Sequence, residues 1–170
     1  HKKGEEQEAF AAYDSCLQWK DDNVMALNNY AYYLSVKGTD LHKAESMSYK
    51  TIKAEPNNGT YLDTYAWILF MEERYADAKT YIDQALKNRD STADNSTVIE
   101  HAGDIYYMNG MSDESVNFWK EAYTGENQTE VLAWKIKNRQ YITEEELKKR
   151  NAPKQKVAAT KKSVRKGKKK

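Results

Sequence analysis

The chain has 170 residues, enough for one domain with a real core. Its seven Gly and two Pro, amid abundant Ala, Tyr, Lys, Glu and Asn, favour helices and argue against a turn-rich β fold. The net charge of +1 hides a split: residues 1–146 carry all 26 acids against 15 cations, a net of −11, and the remaining 12 Lys and Arg follow with no acid. Cys16 stands alone, which excludes an intramolecular disulfide and leaves the redox compartment open. No apolar run reaches membrane-spanning length, and no signal peptide is visible. The chain begins at His1, without Met, and reads as a fragment or processed product.

Helical spacing recurs from the start. Ala9, Ala12, Tyr13, Cys16 and Leu17 predict one helix within residues 5–22. Leu27, Tyr30, Ala31 and Leu34, then Ala44, Met47, Ser48 and Thr51, predict a helical hairpin over 24–56 that ends at "AEPNN". Leu62, Tyr65, Ala66 and Leu69, then Ala78, Tyr81, Ile82 and Ala85, predict a second hairpin over 59–90, turning at "EERYAD". Ala66 and Ala78 are small enough to let its helices cross closely. Ile99, Ala102, Gly103 and Tyr106, then Ser115, Phe118, Trp119 and Ala122, predict a third over 95–124. A helix over 128–139 should turn Leu132 and Ile136 to the last hairpin and its charges to water. Residues 142–170 begin with a short helix, with Thr143 as N-cap and Glu146 completing a capping box. Beyond Pro153 only Val157 and Val164 are large and apolar, so a disordered basic tail is expected.

The small residue that opens each second helix falls at 9, 44, 78 and 115, with separations of 35, 34 and 37. A two-helix repeat of about 34 residues is the tetratricopeptide signature. The chain therefore resembles a tetratricopeptide-repeat (TPR) protein with a half repeat, three full repeats and a capping helix. Leu27, Asn28, Pro56, Asp63, Trp67, Tyr75, His101 and Gly103 resemble, more narrowly, the C-terminal repeats of multi-repeat TPR proteins of Gram-negative bacteria. The resemblance implies an all-α, right-handed superhelix of antiparallel helix pairs. It also implies an adaptor role and points to the cell envelope, with the cytoplasm left open, because many members of that group are exported lipoproteins.

In TPR folds the first helix of each repeat lines the concave face. That places a second stripe of side chains in a groove: Asn28 and Tyr32, with Ser35; Asp63, Trp67 and Phe70, with Met71 beside them; and Glu100, Asp104 and Tyr107. A groove of acids and aromatics suits an extended or helical peptide that carries basic and apolar residues. The plainer alternative is that Trp67 packs against the next repeat and the acids form a solvated rim. TPR domains that clamp a C-terminal carboxylate use Lys, Arg and Asn; here only Asn28 and Asn29 suit, so no such clamp is expected.

Signs of chemistry are missing. His1, His42 and His101 show no metal spacing, and His101 is expected to make a cap or inter-repeat hydrogen bond. No phosphate loop or nucleophile elbow occurs. Asp63 and Asp104 read as a charge pattern, not as an acid–base pair. No enzyme, cofactor or metal is expected. The triplets at Asn58, Asn95 and Asn127 match glycosylation sequons, as an Asn-rich chain will by chance.

The leading reading is a non-enzymatic scaffold that binds a protein or peptide. Two alternatives stand beside it. In one, the Lys161–Lys170 tail anchors the chain to nucleic acid or an anionic surface without sequence preference. In the other, the chain is the end-piece of a longer TPR array. The tail has two further readings, as a solvated appendage or as a transient occupant of the acidic groove. An unsealed edge at Phe10, Tyr13 and Leu17 is expected to promote self-association.

Overall fold

A computed structural model describes Ala11 and residues 23–152. The half repeat at 5–22 with its edge, Cys16, and the tail from Pro153 through Lys161–Lys170 lie outside the described residues. The described residues form α-helices and one 3₁₀ turn, with no strand among them. The helices are α1 (Val24–Lys37), α2 (Leu41–Ala54), α3 (Gly59–Met71), α4 (Tyr75–Lys87), α5 (Ser96–Met108), α6 (Ser112–Ala122), α7 (Glu130–Asn138) and α8 (Glu144–Asn151). The 3₁₀ turn, Gly125–Asn127, precedes α7. None of them is long and apolar enough to cross a membrane.

Local chemistry sets the helix ends. The Asn23 side chain accepts from the Ala26 N–H at 3.0 Å, and Asn58 caps α3 through the Thr60 and Tyr61 N–H groups. Thr129 caps α7, and Thr143 caps α8 in a full capping box with Glu146. Gly38, at φ 65°, closes α1 in the left-handed conformation that glycine adopts without strain.

α1–α2, α3–α4 and α5–α6 pair as hairpins, and α7 packs on α6. Each hairpin also touches its neighbours: α2 meets α3, α4 meets α5, and α1, α3 and α5 pack in succession. This is an array whose apolar core is shared between adjacent units. Small residues carry it, among them Ala66 and Ala78, predicted at a crossing. Ala31, Ala44, Ala66, Ala78, Ala85, Ala102 and Ala122 are all at 0% exposure. Leu34, Leu62, Leu69, Ile82, Ile105 and Leu132 fill the space between them.

The third hairpin uses the same positions with different volumes. Gly103 stands where Ala66 stands in the second, and the fully buried Trp119 stands where Ile82 stands. A Cβ on Gly103 would lie 2.4 Å from Cδ1 of the Trp119 ring. The missing methyl is what lets a Trp fit at this crossing.

One expectation is corrected. The charges of the 128–139 helix do not all face water: Lys135 is 4% exposed. Carboxylates on α5 draw it inward.

Two substitutions test the packing. Leu69→Ala should destabilise the fold by about 2–5 kcal/mol, read from the urea midpoint. Gly103→Ala improves helix propensity by about 1 kcal/mol. It should nonetheless lower the midpoint, because crowding of Trp119 costs roughly 1–3 kcal/mol or more. The companion variant Trp119→Leu should remove the added penalty of Gly103→Ala.

Candidate functional site

A cavity of about 430 Å³ opens between α1, α3, α5 and α7. Tyr32 and Val36 of α1 line it on one side, with Trp67 and Met71 of α3. Thr97, Glu100, His101 and Asp104 of α5 follow, then Val131 and Lys135 of α7. Residues 141–144, between α7 and the start of α8, complete the wall.

The ring system at its floor is ordered by stacking. Trp67 lies flat on His101, with centroids 4.0 Å apart and planes 15° apart. Trp67 also stacks on Phe70 at 4.7 Å. Tyr32 approaches His101 from α1 at 6.3 Å. Aromatic contacts of this kind add to the burial of the rings themselves.

Beneath the rings the charges are closed in pairs. His101 Nδ1 lies 2.9 Å from Asp63 Oδ1 and 3.1 Å from Oδ2, and both residues are buried. Burial alone would pull the His101 pKa down. The Asp63 carboxylate, with Asp104 and Glu100 behind it, outweighs this and raises the pKa above the usual histidine value. On α7, Lys135 Nζ donates to Glu100 Oε1 at 3.0 Å and to both Asp104 oxygens at 2.8 and 2.9 Å. Burial works against the Lys135 charge, and these carboxylates more than offset it, so the ammonium is retained. The Trp119 indole N–H donates to the same Asp104 oxygen as Lys135, at 2.8 Å. Among the described residues each buried carboxylate thus has a nitrogen partner, His101 for Asp63 and Lys135 for Asp104, as desolvated charges require.

A second cluster lies on another part of the surface. His42, Glu45 and Glu72 place ligand atoms within 4.8 Å of one another. The Arg74 guanidinium already spans the two carboxylates, at 2.7 Å from Glu45 and 3.1 Å from Glu72. The acids therefore have their cation.

No family model matches the chain. Over 66 residues it is 36% identical to a TPR repeat-containing protein of Pseudomonas aeruginosa. That stretch is 39% of this chain and 11% of the length of the relative. The structure is similar to the N-terminal domain of stress-induced protein-1 (STI-1) from C. elegans, with a TM-score of 0.51 and 22% identity. The match covers 75% of this chain and 95% of that one. The fold is an all-α TPR superhelix. TPR folds serve in general as platforms for protein–protein interaction.

Within this TPR fold, the nine residues assigned to a groove separate into two groups. Tyr32, Trp67, Met71, Glu100 and Asp104 line the cavity. Asn28, Asp63, Phe70 and Tyr107 do not. Asn28 is 5% exposed, Asp63 is taken by His101, and Phe70 is covered by Trp67, Tyr75 and Tyr141. Tyr107 packs beside Trp119 instead. Trp67 both packs on the next repeat, through His101, and lines the cavity. Lys135, Tyr141 and Val36 were missed. Lys135 looked like one of several surface lysines, and nothing in its own helix marks it as buried.

His101 should titrate above the value of an unfolded histidine, about 6.5. Its contribution to stability is complete below that pH and fades as pH rises through the higher native pKa. Asp63→Asn should lower the native midpoint, followed by the ring proton shifts. Lys135→Met leaves Asp104 buried and uncompensated and should destabilise by about 3–5 kcal/mol in a denaturant titration.

Proposed function

We propose that the inner face of the TPR array binds a segment of a protein partner, and that the cavity between Tyr32, Trp67 and Met71 takes an apolar or aromatic side chain from it. The observation that supports this is the closure of the charges. Asp63 and Asp104 are held by His101 and Lys135, so a basic partner side chain meets no free buried acid there. What faces the cavity is an aromatic and aliphatic surface, with Val36 at its rim 57% exposed. Anchoring aromatics in a desolvated hollow, framed by polar groups, are the usual source of binding energy at such sites. Glu100 at the edge gives a lesser preference for a basic neighbour in the partner sequence.

Val36 and Thr97 are exposed rim residues whose replacement leaves the core intact. Proteins retained by the full chain should be lost from Val36→Asp plus Thr97→Lys, and kept by Thr80→Lys, an exposed substitution on α4 away from the cavity. Equal retention by all three chains, with unchanged melting curves, would overturn the assignment of the inner face.

A further inference from the structure

Beyond α7 the chain doubles back over the inner face. Arg139 takes a positive φ of 54° and pairs with Asp113 of α6, and the next residues run without helical structure to the Thr143 cap. They lay Tyr141 and Ile142 against the repeats. Tyr141 sets its ring edgewise on Phe70, with centroids 5.7 Å apart and planes at 77°. Lys135 Nζ sits 5.3 Å from the centre of the same ring. The ring packs against both the central core and the core under α7. Ile142 is 7% exposed.

This seat has a definite chemistry. Phe70 and Tyr75 offer ring edges and faces, and Lys135 offers an ammonium to a π-face. An aromatic side chain satisfies all three. The adjoining position is closed, with Ile142 buried in it, and suits an aliphatic residue. The seat is also continuous with the open cavity, since Tyr141 and Ile142 form one of its walls. A partner segment that enters beside Trp67 and continues along the face meets the strap.

The strap is held by Tyr141, Ile142 and the surface pair of Arg139 with Asp113. Past it, α8 buries one side chain, Leu147. Otherwise α8 is tied to α7 by contacts at the surface, Asn151 to Glu130 and Arg150 over Trp134. The Lys135 ion pairs involve α5 and α7 alone and need nothing from the strap.

We propose that the inner face recognises a partner segment bearing an aromatic residue followed by an aliphatic one, which takes the seats of Tyr141 and Ile142, and that the chain's own 139–144 segment is the competitor it displaces. This rests on the reading of the inner face as a partner-binding surface. A tethered competitor acts at an effective concentration of about a millimolar. It hides the seat from any ligand that does not exceed that level or reach the neighbouring cavity as well.

The probe is a fluorescent peptide with the sequence of residues 139–147, RQYITEEEL, added to the full chain and to a full chain with Tyr141→Ala and Ile142→Ala. The peptide should bind the double variant at least tenfold more tightly than the wild type, and its own alanine version should bind neither. Equal binding to both chains would show that the strap is no competitor. No binding to a double variant that melts cooperatively would remove the seat as a recognition site. If the double variant does not fold, the isotope-labelled wild type answers instead. Excess unlabelled peptide should move the backbone amide signals of 140–147 towards unfolded positions and leave those of 132–136 in place. Unmoved signals at several millimolar peptide overturn the proposal. Each negative result leaves the retention test at Val36 and Thr97 untouched, so the two readings fail separately.

Discussion

Close approach between helices at Ala and Gly is the constraint on which this molecule is built. Each hairpin is too small to bury its own apolar face, so it must share a core with the next. Sharing demands that the crossing points be narrow, and Ala31, Ala66 and Gly103 keep them so on the first helix of each repeat. Larger residues then fill the space on either side. Where the third repeat spends that space on Trp119, the neighbouring position gives up its methyl group. The indole in turn supplies the N–H that satisfies Asp104. A packing exchange in the core thereby helps to set the charges of the inner face.

Those charges change what the face can do. Read as a list of residues, Asp63, Glu100 and Asp104 describe an acidic groove. In place, two of them are buried and bonded, and the third shares the Lys135 ammonium. The cavity is left with rings, aliphatic groups and a thin polar edge.

Periodicity made the hairpins and their core residues legible, because the apolar spacing and the small crossing residues are both written locally. The capping helix and the Thr143 box were legible for the same reason. Pairings across repeats were harder. Asp63 and His101 are 38 positions apart, and Asp104 and Lys135 are 31 apart. No local pattern announces that they meet. His101 was recognisable as an inter-repeat hydrogen bonder only from its place on a first helix. Tyr141 was least legible of all, since a lone Tyr after a helix is normally a loop residue and its packing follows from a left-handed turn at Arg139.

The polar contacts of the inner face are unevenly placed along the array. His101 to Asp63 ties the third hairpin to the second, and Lys135 ties α7 to the third. At the corresponding place in the first hairpin is Asn28, whose buried side-chain oxygen has no hydrogen-bond partner among the described residues. Between α1 and α3 the seam there is apolar, with Ile68 joining Leu27, Tyr30 and Leu34, and its polar ties run from Glu45 of α2 to Arg74 and Tyr65. Apolar contacts tolerate sliding, whereas buried ion pairs fix distance and angle. The array's ion pairs differ in kind: the Glu45–Arg74 tie between the first two hairpins is partly exposed, whereas Lys135 and Asp104 are buried. Salt would screen the first before it reached the cavity walls on α5 and α7.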